Sequence, residues 1–243
     1  MAPPLERPDL GAQAAGPGAV GGASNLQTVS TMKLYNFFRS GTSHRLRIAL
    51  NLKGLSTEYV PVDLRREQHL QAAFKAIHPQ GLVPALVDGD QVLIQSPAII
   101  EWLDEKYPTP ALLPQGLGER ARVRALAALV GCDIHPVNNR RILEYLRQHF
   151  QADESAINAW CAQWITSGFD AFEALLAADP HRGDYCFGGQ PGLADVYLVP
   201  QVESARRFKV DLTRWPRISA VDAACARLEA FDRAAPMRQP DAA

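Results

Sequence analysis

Leu34-Tyr35-Asn36-Phe37-Phe38-Arg39-Ser40-Gly41-Thr42-Ser43-His44-Arg45-Leu46-Arg47-Ile48-Ala49 changes its hydrophobic period in the middle. Leu34 to Phe37 reads as a strand. Ile48, Ala49 and Leu52 recur at near-helical spacing and place a helix over residues 44–53, which Gly54 stops. Between the two lies a turn rich in hydroxyls, Ser40-Gly41-Thr42-Ser43. Working outward, residues 58–62 read as a second strand and residues 68–77 as a second helix. Residues 83–87 and 91–94 form a pair of strands around the turn Asp88-Gly89-Asp90, and residues 96–107 close the unit as a third helix.

This order, βαβ then α, ββ and α, is that of a thioredoxin-like domain, a mixed sheet with helices on both faces. Proline and glycine between Pro108 and Gly118 interrupt helical and strand ladders alike, so a domain boundary is expected there. Beyond it the pattern is helical almost to the end, as in residues 120–129 and 157–176. The predicted fold is an α/β thioredoxin-like domain over residues 32–112 followed by an all-α domain over residues 119–243. Residues 1–31 are dominated by Ala, Gly and Pro without hydrophobic period and are expected to be a disordered tail. They carry neither the apolar core of a signal peptide nor the arginines of a transit peptide.

A composition that is 47% hydrophobic over 243 residues supports a sizeable core. A formal net charge of -1 supplies no global field toward nucleic acid or an anionic membrane, so small-molecule partners are expected. No apolar run approaches the roughly 18 residues of a membrane-spanning helix. Cys132, Cys161, Cys186 and Cys225 form no CxxC pair, which signals neither zinc nor a disulfide framework and fits a reducing, cytoplasmic setting. Neither a Gly-rich phosphate loop nor a cluster of metal ligands stands out.

The stretch Arg39 to Ala49 resembles the signature of the zeta-class glutathione S-transferases, in which a Ser-rich turn precedes an Arg-x-Arg-Ile-Ala helix. Val83-Pro84-Ala85-Leu86, Gln95-Ser96-Pro97-Ala98-Ile99-Ile100, Val199-Pro200-Gln201 and Arg207-Phe208-Lys209-Val210-Asp211-Leu212 agree with that class in order and spacing. His135-Pro136 and Asn138-Asn139-Arg140-Arg141 look most like its bacterial maleylpyruvate isomerases, relatives of the maleylacetoacetate isomerases. Two departures stand out. Thr42 occupies the place of a cysteine in the usual Ser-Ser-Cys turn, and Gly192 replaces the Ser or Thr of a capping box, leaving only Asp195.

The resemblance implies a homodimeric enzyme that uses glutathione to isomerise a cis double bond in a dicarboxylic keto acid. Such a reaction calls for a reversible nucleophile. No cysteine here sits in an activated motif, so the thiol comes from bound glutathione. Ser40 and Thr42 become the expected catalytic hydroxyls, placed where free N–H groups and the helix dipole favour a thiolate, although Ser and Thr also serve there as ordinary caps. Val83 and Pro84 resemble the cis-proline turn that pairs with the cysteinyl part of glutathione. Gln95 and Ser96 would hold its γ-glutamyl carboxylate at a helix N-terminus. His69 and Gln80 are weaker candidates for the glycyl end. His135 and Asn139, which share a face on a straight helix, are expected near the cofactor. Arg39, Arg207 and, less directly, Arg141 would bind substrate carboxylates. Arg45 and Arg47, inside the first helix, could equally be structural ion-pair residues, and because a charged helix face is usually solvent-exposed they are set aside. A general transferase, a haloacid-dehalogenating enzyme and a non-catalytic binding protein remain open alternatives.

Overall fold

The computed structural model describes residues 32–242. The tail expected over residues 1–31 lies outside the described residues. Strand β1 (Lys33–Asn36) leads through the hydroxyl turn into helix α1 (Gly41–Leu52), and β2 (Glu58–Pro61) returns parallel to β1. Strands β3 (Ala85–Asp88) and β4 (Gln91–Ile94) form the hairpin, and β3 pairs antiparallel with β1, giving the sheet order β2-β1-β3-β4. The sheet is thus mixed, as expected. The helix predicted over 68–77 is broken. Gln71 adopts extended backbone between a 3-10 turn (Gln68–Leu70) and a single-turn helix α2 (Ala72–Lys75).

Helix α3 (Ser96–Lys106) leads into a connection in which Lys53 Nζ, fully buried, binds Asp104 Oδ1 at 2.6 Å and the carbonyls of Tyr107 and Pro110 at 2.7 and 2.6 Å. The rest is helical: α4 (Leu117–Ala128), α5 (Arg140–Phe150), α6 (Glu154–Ala178), α7 (Leu193–Arg207), α8 (Pro216–Ala226) and α9 (Glu229–Ala234). In α6 the buried residues Ile157, Cys161, Ile165, Phe169, Phe172 and Leu176 recur every three or four positions and form one stripe. One buried cluster runs through both halves, from Leu34, Ile48 and Leu86 to Ile134, Phe169 and Trp215. Helix α1 is its hinge piece, packed on the sheet side against α3 and on the helical side against α7 and α9.

Two local features shape the site. The chain leaves α4 through a wide turn, Leu129–Ile134, with His135 N–H bonded to Val130 O at 2.9 Å, five residues back. Gly168 permits this turn, because a Cβ there would lie 2.2 Å from Ile134 Cδ1. The second feature is the start of α7. Asp195 accepts from Gly192 N–H and Cys186 N–H, both at 2.8 Å, while Leu193 N–H is taken by Leu112 O. A Cβ on Gly192 would meet that carbonyl at 2.8 Å. The Leu112 carbonyl thus takes a different free N–H of the first turn, that of Leu193, and lies where a side chain on Gly192 would stand.

Candidate active site

Ser40 is the N-cap of α1, and its Oγ accepts from Ser43 N–H at 3.2 Å. It also lies 2.9 Å from Thr42 Oγ1, whose own proton goes to Val83 O at 2.9 Å. A hydroxyl has one proton to give, so Ser40 is the donor in the Ser40–Thr42 pair. Thr42 thus acts as a pinned acceptor, and Ser40 carries the one hydroxyl proton of the pair that can turn to a ligand. The first turn of α1 holds no acidic residue, so the positive end of its dipole is not offset from within the helix.

The Val83–Pro84 bond is cis, which turns the Val83 backbone toward Thr42. Opposite it, Gln95 takes φ 68, a left-handed value rare for a side-chain-bearing residue, and its amide donates to Gln80 Oε1 at 2.7 Å. Ser96, at the N-terminus of α3, is 3% exposed and its Oγ has no partner. His69 Nδ1 is likewise buried and unpartnered. Burial first, then the charge of Arg140, lowers the His69 pKa.

The helical half contributes a cationic wall. The His135 ring lies against the first turn of α1, where a Cβ on Gly41 would meet it at 3.5 Å. Its Nε2 is sealed from solvent without a partner. Burial, then Arg45, then Arg207 push its pKa down to about 3, so the ring is neutral near pH 7. Arg207, at the end of α7, donates to Ser204 Oγ at 3.2 Å and keeps much of its side chain open to solvent. Partial desolvation and then the neighbouring Arg39 lower its pKa. Arg39 is exposed beside the hydroxyl turn.

Several expectations need correction. Arg45 and Arg47 do not lie on a solvated face: they are 2% and 5% exposed. Arg45 stacks on the Tyr197 ring at 4.4 Å with its Nε unpartnered, and Arg47 is bonded to backbone on both sides. His135 and Asn139 do not share a helix face, because the chain turns at Pro136 and Asn139 becomes the N-cap of α5, accepting from Arg141 N–H at 3.2 Å. Arg141 stands exposed in the first turn of α5, whereas Arg140, not singled out from the sequence, reaches the Leu64 carbonyl of the α/β unit. A signal for Arg45 and Arg47 was present: α1 contains no acidic residue that could pair with either on a solvated face.

The parts so assembled are a hydroxyl donor at a helix N-terminus, a cis-proline turn, a second helix N-terminus with a vacant hydroxyl, and facing arginines. They define a thiol-tripeptide site on a thioredoxin-like fold joined to a helical unit. The N-terminal domain family of glutathione S-transferases matches residues 34–111, and the corresponding C-terminal domain family matches residues 154–227. The chain belongs to the glutathione S-transferase family, within its zeta class. It is 73% identical over 212 residues to a maleylpyruvate isomerase from Ralstonia sp, covering 87% of this chain and all of that protein. A holo structure of a zeta-class bacterial maleyl pyruvate isomerase superposes with a TM-score of 0.86 at 73% identity, over 87% of this chain and 100% of the other. The maleylacetoacetate isomerase of Anaeromyxobacter dehalogenans, solved with dicarboxyethyl glutathione and citrate in its active site, gives 0.78 at 42% identity, over 88% and 94%.

Glutathione fits the donor set. The orphaned Ser96 Oγ at the α3 N-terminus suits a carboxylate, the Val83 backbone suits a peptide, and His69 Nδ1 is a further buried donor or acceptor without a partner among the described residues.

Proposed function

We propose that this chain is a glutathione-dependent cis-trans isomerase acting on maleylpyruvate or maleylacetoacetate. In this reading residues 32–112 hold glutathione and residues 119–243 face the substrate. Bound glutathione supplies a thiolate that adds reversibly to the cis double bond, so that the bond rotates before the thiolate leaves. Ser40 lowers the cost of that anion by turning its proton from Thr42 to sulfur, and Thr42 stays on Val83 O to hold the turn in place. The N-terminal dipole of α1 adds to the same effect. Gln95, Ser96, Gln80 and His69 hold the two ends of the tripeptide, and Asn139 shapes the entrance.

Arg39 and Arg207 bind the substrate carboxylates, with Arg141 at the outer rim. Neutral His135, beside Gly41 of the thiol turn and within the field of Arg207, offers a hydrogen bond without a competing charge. The observation that carries the reading is the meeting of a helix N-terminus without acidic residues in its first turn with neighbouring arginines, Arg39 and Arg207, an arrangement suited to a thiolate and a dianion together. We further propose a homodimer in a reducing cytoplasm. Four free cysteines and the exposed apolar residues Leu70, Val92 and Leu117 support this reading.

The test is turnover of both substrates, followed by absorbance, with and without glutathione. Dependence on glutathione is expected, and the ratio of kcat/KM values assigns the preferred substrate. Isomerisation at full rate in glutathione-free buffer would refute the mechanism. Light scattering should report about twice the 26.6 kDa chain mass.

A further inference from the structure

We infer that Asp241 is a positioning residue for the thiol turn, acting through a strap formed by residues 239–242. The strap folds back from the end of α9 onto the α/β unit. Gln239 Nε2 donates to Arg233 O at 2.8 Å and Ala235 O at 2.9 Å, and Ala242 N–H returns to Gln239 O at 3.1 Å. Asp241 then accepts from Phe38 N–H at 3.1 Å through Oδ2 and from the Tyr59 hydroxyl through Oδ1. Ala242 packs beside a small apolar cluster of Phe37, Phe38, Val62, Phe74 and Val83. That cluster contains both walls of the thiol site, the residues before Ser40 and the residue before the cis-proline.

The Phe38 peptide is gripped from two directions. Its N–H goes to Asp241 and its carbonyl to Arg47 Nη2 at 2.9 Å, while Arg47 Nε binds Ala234 O at 3.0 Å. One residue later comes Arg39 and two residues later Ser40. Ser40 N–H bonds back to Phe37 O at 3.0 Å, so a shift of Phe38 is passed on to Ser40 through this short turn. The donors inside the turn set its shape, and the strap sets where that shape stands relative to Val83. The inference rests on the reading of Ser40 as the thiolate donor.

The test uses Asp241→Ala, Asp241→Asn and Tyr59→Phe in the full chain. The readouts are exchange of the Phe38 amide without glutathione, the ultraviolet titration of the bound glutathione thiol, kcat, KM for glutathione, and Tm. Asp241→Ala should speed Phe38 exchange, raise the pKa of the bound thiol and lower kcat about tenfold, short of the hundredfold that a 1 Å misplacement of a reacting group can cost. KM for glutathione should move little, since Gln95 and Ser96 are untouched. Asp241→Asn keeps an acceptor oxygen and should recover most of the loss. Tyr59→Phe leaves the Phe38 bond in place and should keep the wild-type thiol pKa even if Tm falls. If Asp241→Ala does not fold, the other two variants carry the comparison.

A fall in Tm with thiol pKa and kcat unchanged in Asp241→Ala would reduce the strap to a staple and overturn the inference. So would a raised thiol pKa and a clear loss of kcat in Tyr59→Phe, which keeps the Phe38 bond, as large as in the Asp241 variants. Loss of the thiolate signal in Ser40→Ala but not in Asp241→Ala would sink the strap and leave the proposed function standing. A wild-type complex without bound-thiolate absorbance would sink the proposed function itself and, with it, the link from Asp241 to catalysis.

Discussion

Arg45 and Arg47 stand two residues apart on α1, both buried, both with pKa values lowered to about 10 by burial, yet they are treated in opposite ways. Arg47 donates to Asn36 Oδ1 at 3.0 Å as well as to the Phe38 and Ala234 carbonyls, so its charge is spread into fixed dipoles. Arg45 faces the helical half and, among the described residues, meets the π-face of Tyr197 with no hydrogen bond to its Nε and no salt-bridged carboxylate. One side of the helix is electrostatically finished and the other is left open. A finished charge fixes a backbone. An open one projects a field into a cleft, here onto His135 and toward Arg207, where an anionic ligand would complete it.

The largest expected effect breaks the finished side. Arg47→Met strands the neutral acceptors Asn36 Oδ1, Phe38 O and Ala234 O, and leaving a buried neutral acceptor unsatisfied costs about 1–3 kcal/mol. Chemical denaturation should show that loss. Arg45→Met replaces an unpartnered cation by an apolar chain of similar length, and its stability should change little or rise. Comparable losses in the two variants would erase the distinction. Next comes Ser40→Ala, which removes the preorganised donor to the thiolate and should lower kcat by about 10²–10³. The pKa of bound glutathione should rise in the same variant, as read from thiolate absorbance.

What could be read from the chain in advance follows the same division. The strands, their mixed sheet and the hydroxyl cap were legible because each depends on local signals, alternation and a serine before an apolar helix, whereas the cis bond at Val83–Pro84 was implied only by the family resemblance. The fate of Arg45 and Arg47 was legible only in the absence of acidic residues on α1; where each charge is placed is decided by groups far away in sequence, the Ala234 carbonyl and the Tyr197 ring. Asn139 was misplaced for a related reason. A helix phase carried across Pro136 assumes straightness, and the wide turn over Leu129–Ile134 is accommodated by Gly168, some thirty residues on. Asp241 bonds to a backbone N–H with which it shares no motif.

Smaller effects sharpen the open side. Arg39→Ala and Arg207→Ala should each lower kcat/KM by an amount near the roughly 1.5–3 kcal/mol of a hydrogen bond to a charged group, reduced because both side chains face solvent. An analogue lacking one carboxylate should lose less in these variants than the full substrate does. Equal losses on both would show that the arginines act on the fold or on glutathione. Arg141→Ala, farther out on α5, should change kcat/KM least of the three.

The last test is a pH slope, and it reports both arginines at once. His44 precedes both on α1, buried, with burial first, then Arg47, then Arg45 lowering its pKa to about 3. His135 is lowered to about 3 by burial, Arg45 and Arg207. Both histidines have folded values below the ordinary 6.5, so between pH 6.5 and about 3 the unfolded chain binds protons that the folded chain refuses. Stability must therefore fall as the pH drops through that window, by up to about 1.4 kcal/mol per pH unit for each histidine. Asp195 works in the opposite sense, because burial raises its carboxyl above the ordinary 3.8 and the folded chain takes up that proton first. Denaturant unfolding between pH 7 and 5 should show the decline, and His44→Gln should remove about half of the histidine part. Arg47→Met should raise the His44 pKa more than Arg45→Met does, whereas only Arg45→Met should raise that of His135, both followed by ring-proton NMR. A dicarboxylate bound at the cleft should mimic the second effect, raising His135 while leaving His44 unmoved. If both histidines respond alike to either arginine, the two faces of α1 share one field and the contrast between a finished and an open side is wrong.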